Sequence, residues 1–313
     1  MRTIPLHSIL VLGGSLLTAD FARPVAAQDR PTFRANSELV VLHVSVRDRG
    51  GRYVTGLSKD AFTVIDDATP QTLELFSADE VPATVGFLID NSNSMRPSRE
   101  RVVASAVAFA KHSHPQDEIF ALAFNEAVEE VWRPTIVADI NAAQFASAMS
   151  AAIVARGMTA IYDGITAGLS RLERARHTRQ VLIVVSDGGD NASKAKLEET
   201  ITRVRDSDAT IYTVTLVDRL VKDGNPRLLG RLARLTGGES YRPRRVEDVP
   251  DAFERISKDI RSAYTLAYVP TKSDSDAAGR RRAVKVYVRS QDGRVLSVRT
   301  RDGYFPKTHE DRR

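Results

Sequence analysis

The chain has no cysteine among its 313 residues, which excludes a disulfide framework, thiolate metal ligands and a cysteine nucleophile. Histidine is scarce, six in all, and His112, His114 and His177 fall at expected helix ends, so no general base is placed for catalysis. There is no G-x-S-x-G elbow. Ser193 to Lys196 spells S-x-x-K, but no S-D-N or K-T-G accompanies it. A hydrolytic two-metal site would need more carboxylates and histidines than the loops described below supply. These absences argue against an enzyme, and no catalytic residue is assigned.

Past the first residues, no apolar run is long enough to cross a membrane. The N-terminus reads as a signal peptide over 1–27, with Arg2, an apolar core from Ser8 to Leu17, and Val25-Ala26-Ala27 before Gln28. The expected mature protein is exported, periplasmic or extracellular, without a transmembrane segment. With no cysteine after the signal, no lipid anchor is expected. The formal charge is only +5 and mixed along the chain, so nucleic acid is not an expected partner. Two basic runs, Arg242-Pro243-Arg244-Arg245 and Arg280-Arg281-Arg282, lack interleaved aromatics. They read as solvated loops, with an acidic-partner or polyanion patch as the alternative.

Three patterns are present. Residues 34–80 hold short alternating stretches: Val40, Leu42, Val44 and Val46 on one face of a strand, then Phe62 to Ile65, then Thr72 to Phe76. A lone His43 in the first stretch reads as a surface or satisfied histidine. From 82 to 262 apolar strands (84–90, 118–124, 128–132, 180–186, 210–217, 239–242) alternate with helical stretches (97–112, 141–154, 160–174, 194–206, 226–236, 246–262). That alternation predicts a doubly wound α/β fold: a mostly parallel six-stranded sheet with helices on both faces. From 263 to 306 the period returns to two, with a mobile loop expected over Thr271 to Arg282 and a disordered tail over 307–313. Neither flank has strands enough to bury a face alone, so the two are expected to pair into one small β-sandwich around the inserted α/β unit.

The strand Val85 to Asp90 has no polar alternation until its terminal carboxylate, as in a strand buried on both faces. Open α/β sheets bind ligands at such C-terminal ends. Ser92 and Ser94 follow on the same side of a tight loop, and one carboxylate with two hydroxyls suits a small divalent cation. Gly157-Met158-Thr159 before a helix, and the second apolar strand Val181 to Ser186 ending in Asp187-Gly188-Gly189-Asp190, add a hydroxyl and a carboxylate at two more loops.

In order and spacing these loops resemble the metal-ion-dependent adhesion site of von Willebrand factor type A domains. Gly51 to Phe62, Tyr264 to Pro270 and Arg301-Asp302-Gly303-Tyr304 resemble the opening and closing segments of a narrower group, the bacterial, acidobacterial-type secreted VWFA-related proteins. The resemblance implies a Rossmann-like fold with Mg²⁺ (Mn²⁺ or Ca²⁺ as alternatives) held by Ser92, Ser94 and Thr159, and by Asp90 and Asp187 directly or through water. Asn91, Asp163 and Asp190 are placed to orient those ligands. It implies a protein partner presenting an Asp or Glu to the ion, and it leaves the oligomeric state open. Asn91 and Asn93 stand where that family often has small residues, and Met158 where it more often has glycine. Neither change removes a ligand. The alternative is a purely structural metal, with binding through the sandwich or the basic runs.

Overall fold

The structure is a computed structural model, describing residues 39–216, 225–271 and 280–306. The expected signal peptide, the tail and most of the loop 271–282 lie outside the described residues.

The chain opens with β1 (Val40–Arg47), then β2 (Phe62–Asp66) and β3 (Thr69–Gln71). Asp67 and Ala68 between them have φ of 45° and 66°, the two left-handed residues of a type I′ hairpin turn. Pro70 sits in β3, an edge strand, where its missing N–H costs no ladder bond. The single strand expected at 72–76 is therefore not formed. Its Leu73 is buried while Leu75 is 44 % exposed, and the chain crosses there to β4 (Leu75–Ser77), in a different sheet.

The α/β unit follows: β5 (Ala83–Asp90), α1 (Arg99–Lys111), β6 (Glu118–Phe124), β7 (Val128–Ile136), α2 (Ala142–Ala152), α3 (Ile161–Leu172), β8 (Arg179–Ser186), α4 (Leu197–Asp206), β9 (Thr210–Thr215), α5 (Pro226–Leu235), β10 (Ser240–Tyr241) and α6 (Val249–Arg261). The sheet has six strands in the order β10-β9-β8-β5-β6-β7, parallel except at the β6–β7 edge. Every residue of β5 is buried, as its unbroken apolar run requires of a central strand. One face carries Phe87, Ile183 and Val214 against Phe109, Phe145 and Phe253 of α1, α2 and α6. The other carries Leu88, Phe124 and Leu182 against Ile165, Ile201 and Leu229 of α3, α4 and α5. Asn caps start two of these helices: Asn141 accepts from the N–H groups of Ala143 and Gln144, and Asn225 from that of Leu228. The stretch expected as one helix from 246 to 262 begins as a 3-10 turn, and α6 starts only at Val249, ahead of Pro250.

The chain ends with β11 (Tyr264–Tyr268), β12 (Arg282–Val288), β13 (Ser297–Arg299) and β14 (Gly303–Tyr304). These pair with the first strands into two antiparallel sheets, β13-β1-β11-β4 and β14-β12-β2-β3. Leu42 lies opposite Leu266, and Val64 opposite Val286. The sheets close on one core that includes Leu42, Val44, Val64, Tyr264, Leu266 and Val286. Within that core Asp66 accepts from Arg282 Nε (2.9 Å), the Tyr268 hydroxyl (3.0 Å) and the Tyr304 hydroxyl (2.9 Å).

Ion pairs and hydrogen bonds fix the sandwich to the α/β unit. Asp259 of α6 is 1 % exposed and accepts from Ser45 of β1 (2.7 Å), Tyr212 of β9 and Arg299 of β13. Glu239, just before β10, takes Arg47 at 2.7 Å and also Arg299. Arg301 meets Asp208 at 2.9 Å. At the same end, within the α/β unit itself, Asp117 holds Arg261 at 2.9 Å and the N–H of Ala83 at 2.8 Å. Asp117, Asp208 and Glu239 all precede strands of the parallel sheet. The sandwich is thus docked where those strands begin, leaving the opposite rim open.

Candidate metal centre

At that rim three strand-to-helix loops converge. The first leaves β5 at Asp90, which is fully buried. Its Oδ1 accepts from the Ser92 N–H (2.9 Å) and its Oδ2 from the Ser186 hydroxyl (2.6 Å). Burial pushes its carboxyl up to about 6, and the neighbouring Asp187 charge adds to this, while the bonds from Ser186 and Ser92 oppose it. Ser92 and Ser94 turn their hydroxyl oxygens to within 3.1 Å of each other.

The second loop is held against the first by Asn91. Its Oδ1 accepts from the Ala155 N–H (2.7 Å), its Nδ2 donates to the Ala152 carbonyl (3.1 Å), and its own carbonyl takes the Arg156 N–H (2.7 Å). Asn93 donates its N–H to the Gly157 carbonyl at 3.2 Å. Thr159 is brought beside the serine loop as a result.

The third loop follows β8. Asp187 accepts the Gly189 N–H on Oδ1 at 2.9 Å, and among the described residues no donor reaches its Oδ2. Gly188, at φ 85°, has no room for a side chain: a Cβ there would lie 2.8 Å from the Asn225 carbonyl oxygen. Asn191 ties this loop to the second, accepting from the Thr159 N–H at 2.8 Å and donating its own N–H to the Thr159 carbonyl at 2.9 Å.

Ser92, Ser94, Thr159 and Asp187 line one open cleft, and Asp90 lies beneath its floor. Asp163 and Asp190 do not reach it. Asp163 accepts the N–H groups of Lys194 (2.9 Å) and Ala195 (2.8 Å), and Asp190 those of Ile161 (3.1 Å) and the Ser193 hydroxyl. Both tie the start of α3 to the loop after Asp190, supporting Thr159 at one remove. Asn91 likewise acts on the loop. Reading residues singly missed Ser186, whose signal was a hydroxyl closing an apolar strand just before an aspartate. It also missed Asn191 and Glu126, the latter accepting the Met158 N–H at 2.8 Å.

The donor set consists of hard oxygens. Two carboxylates, one with its charge buried, have no arginine or lysine partner among the described residues, whereas a small divalent cation would neutralise both. Among those residues no group of three His, Cys, Asp or Glu could hold a metal, so any ion at this rim depends on the hydroxyls. The chemistry fits such an ion.

The sequence profile of the von Willebrand factor type A domain matches residues 84–259. The chain belongs to the von Willebrand factor type A family. Domains of this family are generally interaction modules that bind protein partners. A von Willebrand factor type A protein from Catenulispora acidiphila superimposes with a TM-score of 0.52 at 13 % identity, over 89 % of this chain and 76 % of that one. Proximal thread matrix protein 1 from the mussel byssus gives 0.50 at 12 % identity, over 63 % of this chain and 51 % of its own. A second structure of that protein, with a zinc-occupied MIDAS motif, gives 0.50 at 13 % identity, over 62 % and 49 %. At these identities the likeness is one of fold. No curated protein matches the sequence. Among the described residues of this von Willebrand factor type A chain, no helix is long and apolar enough to cross a membrane.

Proposed function

We infer that the protein is an exported, metal-dependent binding module of adhesion type that captures an acidic side chain of a protein partner. One observation carries the reading: a buried aspartate without a cationic neighbour among the described residues lies under an open cleft whose wall presents two serine hydroxyls 3.1 Å apart. Ser92, Ser94 and Thr159 would hold Mg²⁺ through their hydroxyls, and Asp90 and Asp187 directly or through water; Mn²⁺ and Ca²⁺ are the alternatives. Bound there, the ion supplies a Lewis-acidic position for an incoming carboxylate. A partner's carboxylate would gain a charge-assisted bond there. Asn91 and Asn191 keep the three loops in register for this. The zinc-occupied MIDAS motif of the mussel protein supports the same use of these loops, and the cleft lining (hydroxyls, amides, Arg96 and one carboxylate) suits binding better than hydrolysis.

The test is capture from an envelope and secreted fraction with Mg²⁺ and with chelator. Capture that needs Mg²⁺ and is lost in Asp90→Ala and Thr159→Ala supports the reading. Calorimetry giving unchanged Mg²⁺ binding in both variants would overturn it.

A further inference from the structure

The outer face of α5 is arginine without any acid. From Asn225 to Thr236 the chain has no carboxylate, and Arg227, Arg231 and Arg234 are all exposed. Their spacing of four and three residues puts them on one side of the helix. Arg242 and Arg244, from the run after β10, are exposed beside them. The nearby carboxylates are engaged elsewhere among the described residues: Glu239 with Arg47 and Arg299, and Asp248 with Arg245.

These cations converge. Arg242 donates through Nη2 to the Pro226 carbonyl at 2.7 Å, which fixes its guanidinium against the helix. At Gly230, buried under the arginines, a Cβ would lie 3.3 Å from both Arg234 Nη1 and Arg242 Nη2, and 3.8 Å from the Ser240 Cβ. Two guanidinium groups thus overhang one glycine, and among the described residues neither is paired with a carboxylate. Like charges held together by the fold make a receptor for an oxyanion, and guanidinium forks match a phosphate bidentately. The row from Arg227 to Arg234 then continues along the helix for about 10 Å, more than a single phosphate spans.

We propose that this face binds a linear phosphate-bearing polymer, with one phosphate seated between Arg234 and Arg242, and its neighbours along Arg231 and Arg227. The site is independent of the metal cleft.

The full chain, kept in chelator so that the metal loops contribute nothing, is titrated with fluorescent linear polyphosphate and followed by anisotropy. Saturable binding is expected, its logarithm falling linearly with the logarithm of salt concentration. Arg234→Gln with Arg242→Gln should weaken it at least about tenfold. Arg227→Gln with Arg231→Gln, at exposed helix positions that leave folding intact, should flatten the salt dependence. Unchanged affinity in a folded Arg234→Gln, Arg242→Gln variant would overturn the proposal, as would an unchanged salt slope in the Arg227→Gln, Arg231→Gln variant. Equal affinity for oligoglutamate of the same length would overturn the phosphate assignment, and tighter binding to vesicles with a phosphate-monoester headgroup would overturn the polymer.

Discussion

The two ends of the parallel sheet treat buried carboxylates in opposite ways. Where the strands begin, the buried Asp259 and Asp117 and the half-buried Glu239 are met by Arg299, Arg261 and Arg47. Burial works to raise the Glu239 carboxyl, but Arg299 and Arg47 outweigh it and hold it below its ordinary value. Where the strands end, Asp90 is as deeply buried as any of them, yet its partners are a hydroxyl and an N–H, and its carboxyl sits near 6. One end is electrostatically finished and acts as a joint. At the other, among the described residues, neither Asp90 nor Asp187 has an arginine or lysine partner, as expected of a place that takes its cation from solution.

The contrast breaks most visibly at the joint. Asp259→Ala takes away one of the two carboxylates that hold Arg299, Glu239 being the other, leaves Tyr212 and Ser45 without their acceptor, and should destabilise the protein by about 2–4 kcal/mol. Denaturant unfolding checks this, and a loss under about 1 kcal/mol would mean the joint is not held by its ion pairs. At the rim the sign reverses. The Asp90 carboxyl rises from 3.8 to about 6 on folding, so the metal-free fold gains from its proton at low pH and loses that gain as pH rises through about 6. Asp90→Asn in chelator above neutrality should therefore stabilise the fold, by at most about 3 kcal/mol, while Mg²⁺ no longer raises the unfolding temperature. A destabilised metal-free Asp90→Asn would erase the difference between the ends.

Proton competition gives a finer test. Mg²⁺ affinity should be flat above pH 6 and fall by at most about tenfold per unit below it as Asp90 protonates, as isothermal calorimetry across that range would report. A shift of the opposite sense lies on the joint side, at His43. Burial first, then Arg179 and Arg301, lower its value to about 3. Its contribution is complete above the ordinary histidine value of 6.5 and is lost as pH falls from there toward 3. His43→Gln should remove that part of the acid sensitivity in pH-dependent unfolding, opposite in direction to the Asp90 effect.

Much of this was legible in the residues. The unbroken run Val85 to Ile89 could only be a central strand, which put Asp90 at a rim, and the D-x-S-x-S and S-D-G-G loops followed from it. The two-residue alternation at both ends of the chain announced strands lacking partners nearby in sequence. Less visible were interactions set by chain crossings. The left-handed pair Asp67-Ala68 carries no glycine or asparagine, so nothing marked the hairpin that turns Pro70 into an edge strand and cancels the strand at 72–76. Asn91 reads as a ligand-orienting residue by position, but its amide goes to the backbone of residues 152 and 155. That is a tertiary contact with no local signature. Asn191 lacks one for the same reason, and the Arg234–Arg242 convergence exists only because β10 returns the chain alongside α5.

The pairing of Leu42 with Leu266 has a bearing on the order of events during synthesis. The first strand must wait, unpartnered, until the entire α/β unit has emerged. A free chain of that length would meet a large closure entropy, but a unit that has already condensed brings its two ends together and removes most of it. The α/β unit is therefore the natural first folding event, with the sandwich closing last as a clasp. A truncation before Tyr264 should leave Val40 to Val46 as an open, aggregation-prone edge.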